Sequence, residues 1–267
     1  MPAILRLAEA SAPDVARMPG RPADLAVSGL RKAFKGAGPV LSGVDLEIRR
    51  GEAVALIGAN GSGKSTLLRC ALRLIEPDAG AVRLFGSDVG TLGRAALRRV
   101  RARVGLVSQR HNLVPRLSAL SNVLHGAQAR RGGPRTWYQG LARHAERATA
   151  MECLDRVGLA HLAGRRADQL SGGQSQRVAI ARALMQSPDI MLADEPVASL
   201  DPAAGEEVMR LFVDLTRQQD LTLVFVSHDL DHALAYADRV IGLRGGRLTL
   251  DQPAARLDVE ALRGIYG

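Results

Sequence analysis

Gly58-Ala-Asn-Gly-Ser-Gly-Lys-Ser65 is the stretch on which the fold turns. It fits the spacing G-x-x-x-x-G-K-[S/T]. Glycines at 58, 61 and 63 let the backbone turn tightly and point successive N–H groups at phosphate oxygens. Lys64 is placed to set a point charge against β- and γ-phosphates, and Ser65 to offer a hydroxyl to a Mg²⁺ ion. Asn60, Ser62 and Thr66 complete the expected phosphate-contacting set. The flanks agree with this reading. Val54 to Ile57 is a short apolar run of strand length, and Ser65 to Ile75 has helical spacing, with Leu67, Leu68, Ala71, Leu72 and Ile75 on one face. A glycine-rich turn between a buried strand and a helix N-terminus is an anion site.

A phosphate loop needs an acid to complete the metal shell. Ile190-Met-Leu-Ala-Asp194-Glu195 is a buried strand ending in two carboxylates. Asp194 is expected to hold Mg²⁺, and Glu195 to orient and deprotonate an attacking water. Further strands are read at Val82 to Phe85, Val104 to Val107, Leu221 to Val226 and, around the hairpin signal Gly245-Gly246, at Val240 to Leu243 and Arg247 to Leu250. Leu25 to Ile48 reads as short strands broken by Gly36, Gly38 and Gly43. Strands alternating with helices, such as Ala203 to Gln218, indicate an α/β fold with a parallel sheet wrapped by helices. From about residue 113 to 186 the pattern changes to Ala, Leu and Arg at helical periods, which is read as an inserted helical subdomain. Trp137 and Tyr138 are expected to pack within it. Residues 1–22 are read as a disordered extension, with Ile4 to Ala10 a candidate short helix; they have no long apolar core of the kind a secretory signal needs.

Leu170-Ser171-Gly172-Gly173-Gln174, followed by Ser175-Gln-Arg-Val-Ala-Ile-Ala-Arg-Ala-Leu184, resembles the signature of ABC ATPases and the helix it opens. Other matches follow in chain order. Gln109 resembles the Q-loop glutamine, Ser199-Leu200-Asp201 the D-loop, and His228 the switch histidine. The resemblance covers about Leu25 to the end of the chain. It implies a P-loop NTPase of ABC ATPase type, with a mixed sheet core, an antiparallel β subdomain and the inserted helical subdomain. It implies ATP and Mg²⁺ as ligands. Gln109 would reach the metal, His228 the γ-phosphate, and Phe34 would lie against adenine. Ser171, Gly172, Gly173, Gln174 and Asp201 would act on ATP held by a second copy, in a head-to-tail homodimer.

The 267 residues carry 36 Lys and Arg against 27 Asp and Glu, a formal charge of +9, with clusters at Arg94 to Arg103 and Arg130 to Arg135. Such a balance is compatible with nucleic acid, anionic lipid or phosphate. A nucleic-acid role is not expected, because the ABC ATPases that act there carry two cassettes or a long coiled-coil insertion. No run reaches the roughly 18 apolar residues of a membrane span, so a membrane role must come through a partner. The two cysteines, Cys70 and Cys153, are far apart in helical segments and suggest neither a disulfide framework nor a metal site.

Three segments narrow the resemblance to the ATPase of phosphonate importers: Gln109 to Leu124, Arg166 to Gln174, and Ala193 to Asp201, with Tyr236 to Arg244 and the last six residues in support. Two positions depart from that pattern. Ser227 is followed directly by His228 where a Leu usually intervenes, and Ser175 stands where Gln is commoner. The resemblance implies transmembrane permease subunits as direct partners and a periplasmic or surface substrate-binding protein as an indirect one. It places the chain on the cytoplasmic face of the membrane. An exporter or lipoprotein-releasing ATPase, or a non-transport ABC ATPase, is the alternative.

Overall fold

A computed structural model describes residues 21–36, 38–109, 111–130 and 142–264. The expectations for residues 1–20 and for Trp137 and Tyr138 lie outside these. Arg21 and Pro22 lie against the body of the fold, with Arg21 donating to the Arg50 carbonyl (3.1 Å) and the Pro22 carbonyl accepting from the Arg50 amide (3.1 Å).

Among the described residues, ten strands form two sheets. Four make an antiparallel sheet in the order β2-β1-β4-β5: β1 (Ala23–Phe34), β2 (Gly38–Arg49), β4 (Ala79–Leu84) and β5 (Ser87–Asp88). Six make a mixed sheet in the order β10-β9-β3-β8-β7-β6: β3 (Ala53–Ile57), β6 (Val104–Ser108), β7 (Ile190–Asp194), β8 (Thr222–Val226), β9 (Arg239–Arg244) and β10 (Arg247–Pro253). Only β10 pairs antiparallel in this second sheet. The expected short strands between Leu25 and Ile48 are two strands of 12 residues each. Gly43 does not end β2: the register steps from Leu30↔Val44 to Arg31↔Ser42, so Gly43 (φ 88°) is the extra residue of a bulge.

Residue alternation within the central strands sorts the core. Every residue of β3 and β8 is buried, as in a sheet covered on both sides. Val54, Leu56, Val224, Val226, Ile190 and Leu192 face helix α1 (Lys64–Ala71) and the antiparallel sheet. Ala55, Ile57, Leu223, Phe225, Met191 and Ala193 face the opposite layer. That layer contains α3 (Ala119–Leu124), α4 (His144–Arg156), α5 (Gly172–Leu184), α6 (Pro202–Gln218) and α7 (Leu230–Tyr236), with Phe212 of α6 fully buried. α2 (Arg94–Arg101) precedes β6, and α8 (Val259–Arg263) closes the described chain.

The helix expected to reach Ile75 ends at Ala71. Leu74 N bonds Arg69 O and Arg73 N bonds Cys70 O, both at 2.8 Å, with Arg73 at φ 50°. This left-handed cap satisfies the last carbonyls and turns the chain away. Cys70 and Cys153 are free thiols buried in the core. No described helix is long and apolar enough to cross a membrane.

Candidate functional site

Strand order assembles the site. β8 lies between β3 and β7, all parallel, with Leu56 opposite Val226 and Ala193 opposite Phe225. The loops leaving their C-terminal ends therefore emerge side by side, at the edge where open α/β sheets bind ligands. These loops carry Gly58–Ser65, Ser227–His228 and Glu195.

In the first loop the Lys64 ammonium turns back into the cradle, donating to the Gly58 carbonyl at 2.7 Å and the Ala59 carbonyl at 3.0 Å. Burial holds its pKa below the ordinary lysine value, opposed by the nearby charges of Glu195 and Asp194. Ser62 Oγ is buried without a hydrogen-bond partner, an unmet capacity that a phosphate oxygen would satisfy. Gly63 caps α1 at φ 108° with no side-chain acceptor on its first N–H groups. An added Cβ there would stand 2.7 Å from the Val40 carbonyl, so the loop path requires glycine.

At the end of β7, Asp194 Oδ1 accepts the Ser65 hydroxyl at 2.7 Å, joining the acid strand to the phosphate loop. Glu195 then takes a left-handed backbone (φ 53°). That turn carries its carboxylate to His228, with Oε1 and Nε2 2.7 Å apart. Asp201 caps α6 by accepting from Ala204 N at 3.0 Å. Together Glu195, Leu200, Asp201, His228, Asp229 and His232 line much of a cleft of about 270 Å³.

The Ser171–Gln174 segment forms a reciprocal cap on α5. Ser171 Oγ accepts from Gln174 N at 3.3 Å, and Gln174 Oε1 accepts from Ser171 N at 3.0 Å. Gly172 lies close to Leu200, where a Cβ would come 3.0 Å from its Cδ2, so this cap packs on the segment leading into Asp201. Phe34 and Gln109 stand exposed. Phe34 ends β1 39% exposed with the Lys32 ammonium 5.5 Å from its ring centroid, and Gln109 follows β6.

A profile of the family described as "ABC transporter" matches residues 41–198. The chain belongs to the ABC transporter family. This cassette is 51% identical over 232 residues to the phosphonates import ATP-binding protein PhnC of Nocardia farcinica, covering 86% of each chain. It is 45% identical over 243 residues to PhnC of Wolinella succinogenes, covering 91% of this chain and 88% of that one. Among solved structures, the cassette superposes on the dimeric post-hydrolysis MJ0796 bound to ADP and Pi with a TM-score of 0.75 at 34% identity, covering 86% of this chain and 98% of that one. It also matches cbiO1 of Clostridium perfringens, part of the ABC transporter complex cbiONQ, with a TM-score of 0.78 at 28% identity, covering 91% and 94%. An ABC ATPase fold binding ATP is thereby established for the cassette.

Several residues around this site were not read from the sequence. Arg182 of α5 donates to the carbonyls of His111 (2.8 Å) and Asn112 (2.6 Å), pinning the segment just past Gln109. His232 and Tyr236 follow His228 at intervals of four, a helical stripe visible in the sequence once α7 is placed. Their partner Glu206 sits on another helix, at no informative spacing.

Proposed function

We propose that this cassette is the ATP-hydrolysing subunit of an importer that takes up phosphonate or a related phosphorus oxyanion through a separate permease. The observation that carries the chemistry is the Glu195–His228 pair at 2.7 Å beside a buried lysine in a phosphate loop. On ATP binding, Lys64 would exchange the Gly58 and Ala59 carbonyls for β- and γ-phosphate oxygens, and Ser62 Oγ and the first amides of α1 would meet the remaining phosphate oxygens. Asn60, Gly61 and Thr66 belong to the same cradle, and Phe34 offers a ring face to adenine.

Ser65 Oγ and Asp194 Oδ1, 2.7 Å apart, are hard oxygen donors suited to Mg²⁺, with Gln109 as a third. That ion, when bound, neutralises charge on the transferring phosphoryl group. Glu195 would take a proton from the attacking water, and His228 would hold the γ-phosphate while keeping Glu195 in line. Because the chain has one phosphate loop and one signature, two copies would pair head to tail. Ser171, Gly172, Gly173 and Gln174 of one copy would close over ATP held by the other, with Asp201 at the boundary. That MJ0796 is dimeric with ADP and Pi bound supports the pairing of two copies. Membrane permease subunits would convert the opening and closing into transport at the cytoplasmic face, and a substrate-binding protein would deliver the cargo from outside.

Two measurements test the reading. Glu195→Gln should bind ATP normally, form an ATP-dependent dimer on size-exclusion chromatography and lose turnover by on the order of a hundredfold or more; full turnover would remove Glu195 as the base. For the cargo, the cassette with its permease and binding protein in proteoliposomes should hydrolyse ATP faster with methylphosphonate or phosphite than with sulfate. Equal response to all three would sink the phosphorus-oxyanion assignment.

A further inference from the structure

The two helices that follow the D-loop and the switch histidine are tied together by one carboxylate. α6 starts immediately after Asp201, and α7 starts immediately after His228 and Asp229, whose Oδ1 accepts from His232 N at 3.1 Å. Glu206, on the second turn of α6, receives two side chains from α7. Its Oε1 accepts the Tyr236 hydroxyl at 2.5 Å, and its Oε2 lies 3.1 Å from His232 Nε2. Arg210, one turn further along α6, lies 3.2 Å from Oε1 and steadies the same carboxylate. The Tyr236 hydroxyl and Arg210 hold the Glu206 carboxyl below its ordinary pKa, and burial together with Glu206 pushes the Tyr236 phenol up to about 12. Both shifts keep Glu206 a carboxylate and Tyr236 a donor at neutral pH. The rings of His232 and Tyr236 meet edge to face, centroids 5.8 Å apart. The His232 ring is mostly buried, and it lines the cleft that also contains Glu195 and His228.

We infer that the Glu206–His232–Tyr236 clasp is a positioning device for hydrolysis, holding α7 on α6 so that His228 stays in hydrogen-bond reach of Glu195. The inference rests on the proposed roles of Glu195 and His228. Neither Glu206 nor Tyr236 lines the cleft or the phosphate loop, so the clasp acts through the placement of His228 and not on ATP. α7 is only seven residues long, with Ala233 buried and Leu230, Leu234 and Tyr236 half-buried against the core, so the clasp adds a polar tie to α6 on top of this apolar packing. At a half-exposed carboxylate such a contact contributes about 0.5 kcal/mol, which corresponds to about a two- to threefold change in rate for one contact and about fivefold for two when the loss falls on the transition state alone.

The test is a double-mutant cycle on steady-state ATP hydrolysis by the full chain. Glu206→Ala should lower kcat about fivefold and leave the KM for ATP within about twofold of the parent. The conservative Tyr236→Phe, which keeps the ring and removes only the hydroxyl, should lower kcat two- to threefold on the same grounds. In a His228→Ala background both substitutions should have no further effect, because the group they position is gone. Losses that multiply instead, or an unchanged kcat in both single variants, overturn the clasp while leaving the roles of Glu195 and His228 intact. If His228→Ala itself retains full kcat, the proposed role of His228 falls, and the clasp falls with it.

Discussion

Replacing Gly58 by alanine should cost far more than the same change at Gly61, three residues along the same loop. Both glycines have positive φ, 145° and 77° respectively. At Gly61 an added Cβ meets nothing within 4 Å. Its cost is then the left-handed backbone alone, about 1–2 kcal/mol. At Gly58 the Cβ would stand 2.1 Å from the Leu243 carbonyl oxygen and 2.9 Å from Ser62 Oγ. The serine can rotate, but the carbonyl is backbone of β9, which is fixed to β3 by the Ile57–Gly242 pairing. More than an ångström of overlap must be absorbed by moving the loop or the strand. Strained φ contributes about 1–3 kcal/mol and overpacking a further 1–3 kcal/mol or so, giving about 2–6 kcal/mol against a total stability that rarely exceeds about 15 kcal/mol. Urea unfolding followed by circular dichroism, without nucleotide, measures both variants on one scale. A Gly58→Ala midpoint equal to that of Gly61→Ala would refute the packing argument for this loop.

Phe212→Ala removes a fully buried ring from the face that α6 turns to the core and should lower the unfolding free energy by about 3–5 kcal/mol, read from the same urea transition. Burial pushes the Cys153 thiol up to about 11 and raises that of Cys70, so neither should react with a disulfide reagent at pH 8 in the native protein, and both should react in denaturant; labelling of the native protein at the rate of a free thiol would contradict the packing. Arg182→Ala removes two hydrogen bonds from the segment after Gln109, so amide exchange at residues 111–114 should quicken about tenfold or more while the core strands are unchanged. Lys64→Ala should weaken ATP binding without disturbing the unfolding midpoint, as measured by titration of a fluorescent nucleotide and by the same urea transition, because the lysine donates to the two loop carbonyls that ATP would release.

The phosphate loop was legible in the sequence because its chemistry is local. Gly58 to Ser65 encodes a backbone path through residue types that few other conformations need, and the apolar runs on either side set it between a strand and a helix. The placement of Asp194 and Glu195, of Ser171–Gln174 and of His228 at the ends of elements was legible for the same reason, as short patterns. The length of α1 was not, since its end depends on Arg73 accepting a left-handed conformation, which residue type does not announce. Nor were β1 and β2, where Gly43 sits in a bulge stabilised by its neighbouring strand instead of breaking the strand. What only the tertiary structure decided is which loops meet. Placing β8 between β3 and β7 brings residues 58–65, 195 and 228 to one edge, and a left-handed turn at Glu195 sets its carboxylate 2.7 Å from His228. The tie from Glu206 to His232 and Tyr236 likewise spans two helices and up to 30 residues. Spacing along a chain records the path of one segment; partners across a sheet are set by strand order, which no short pattern contains.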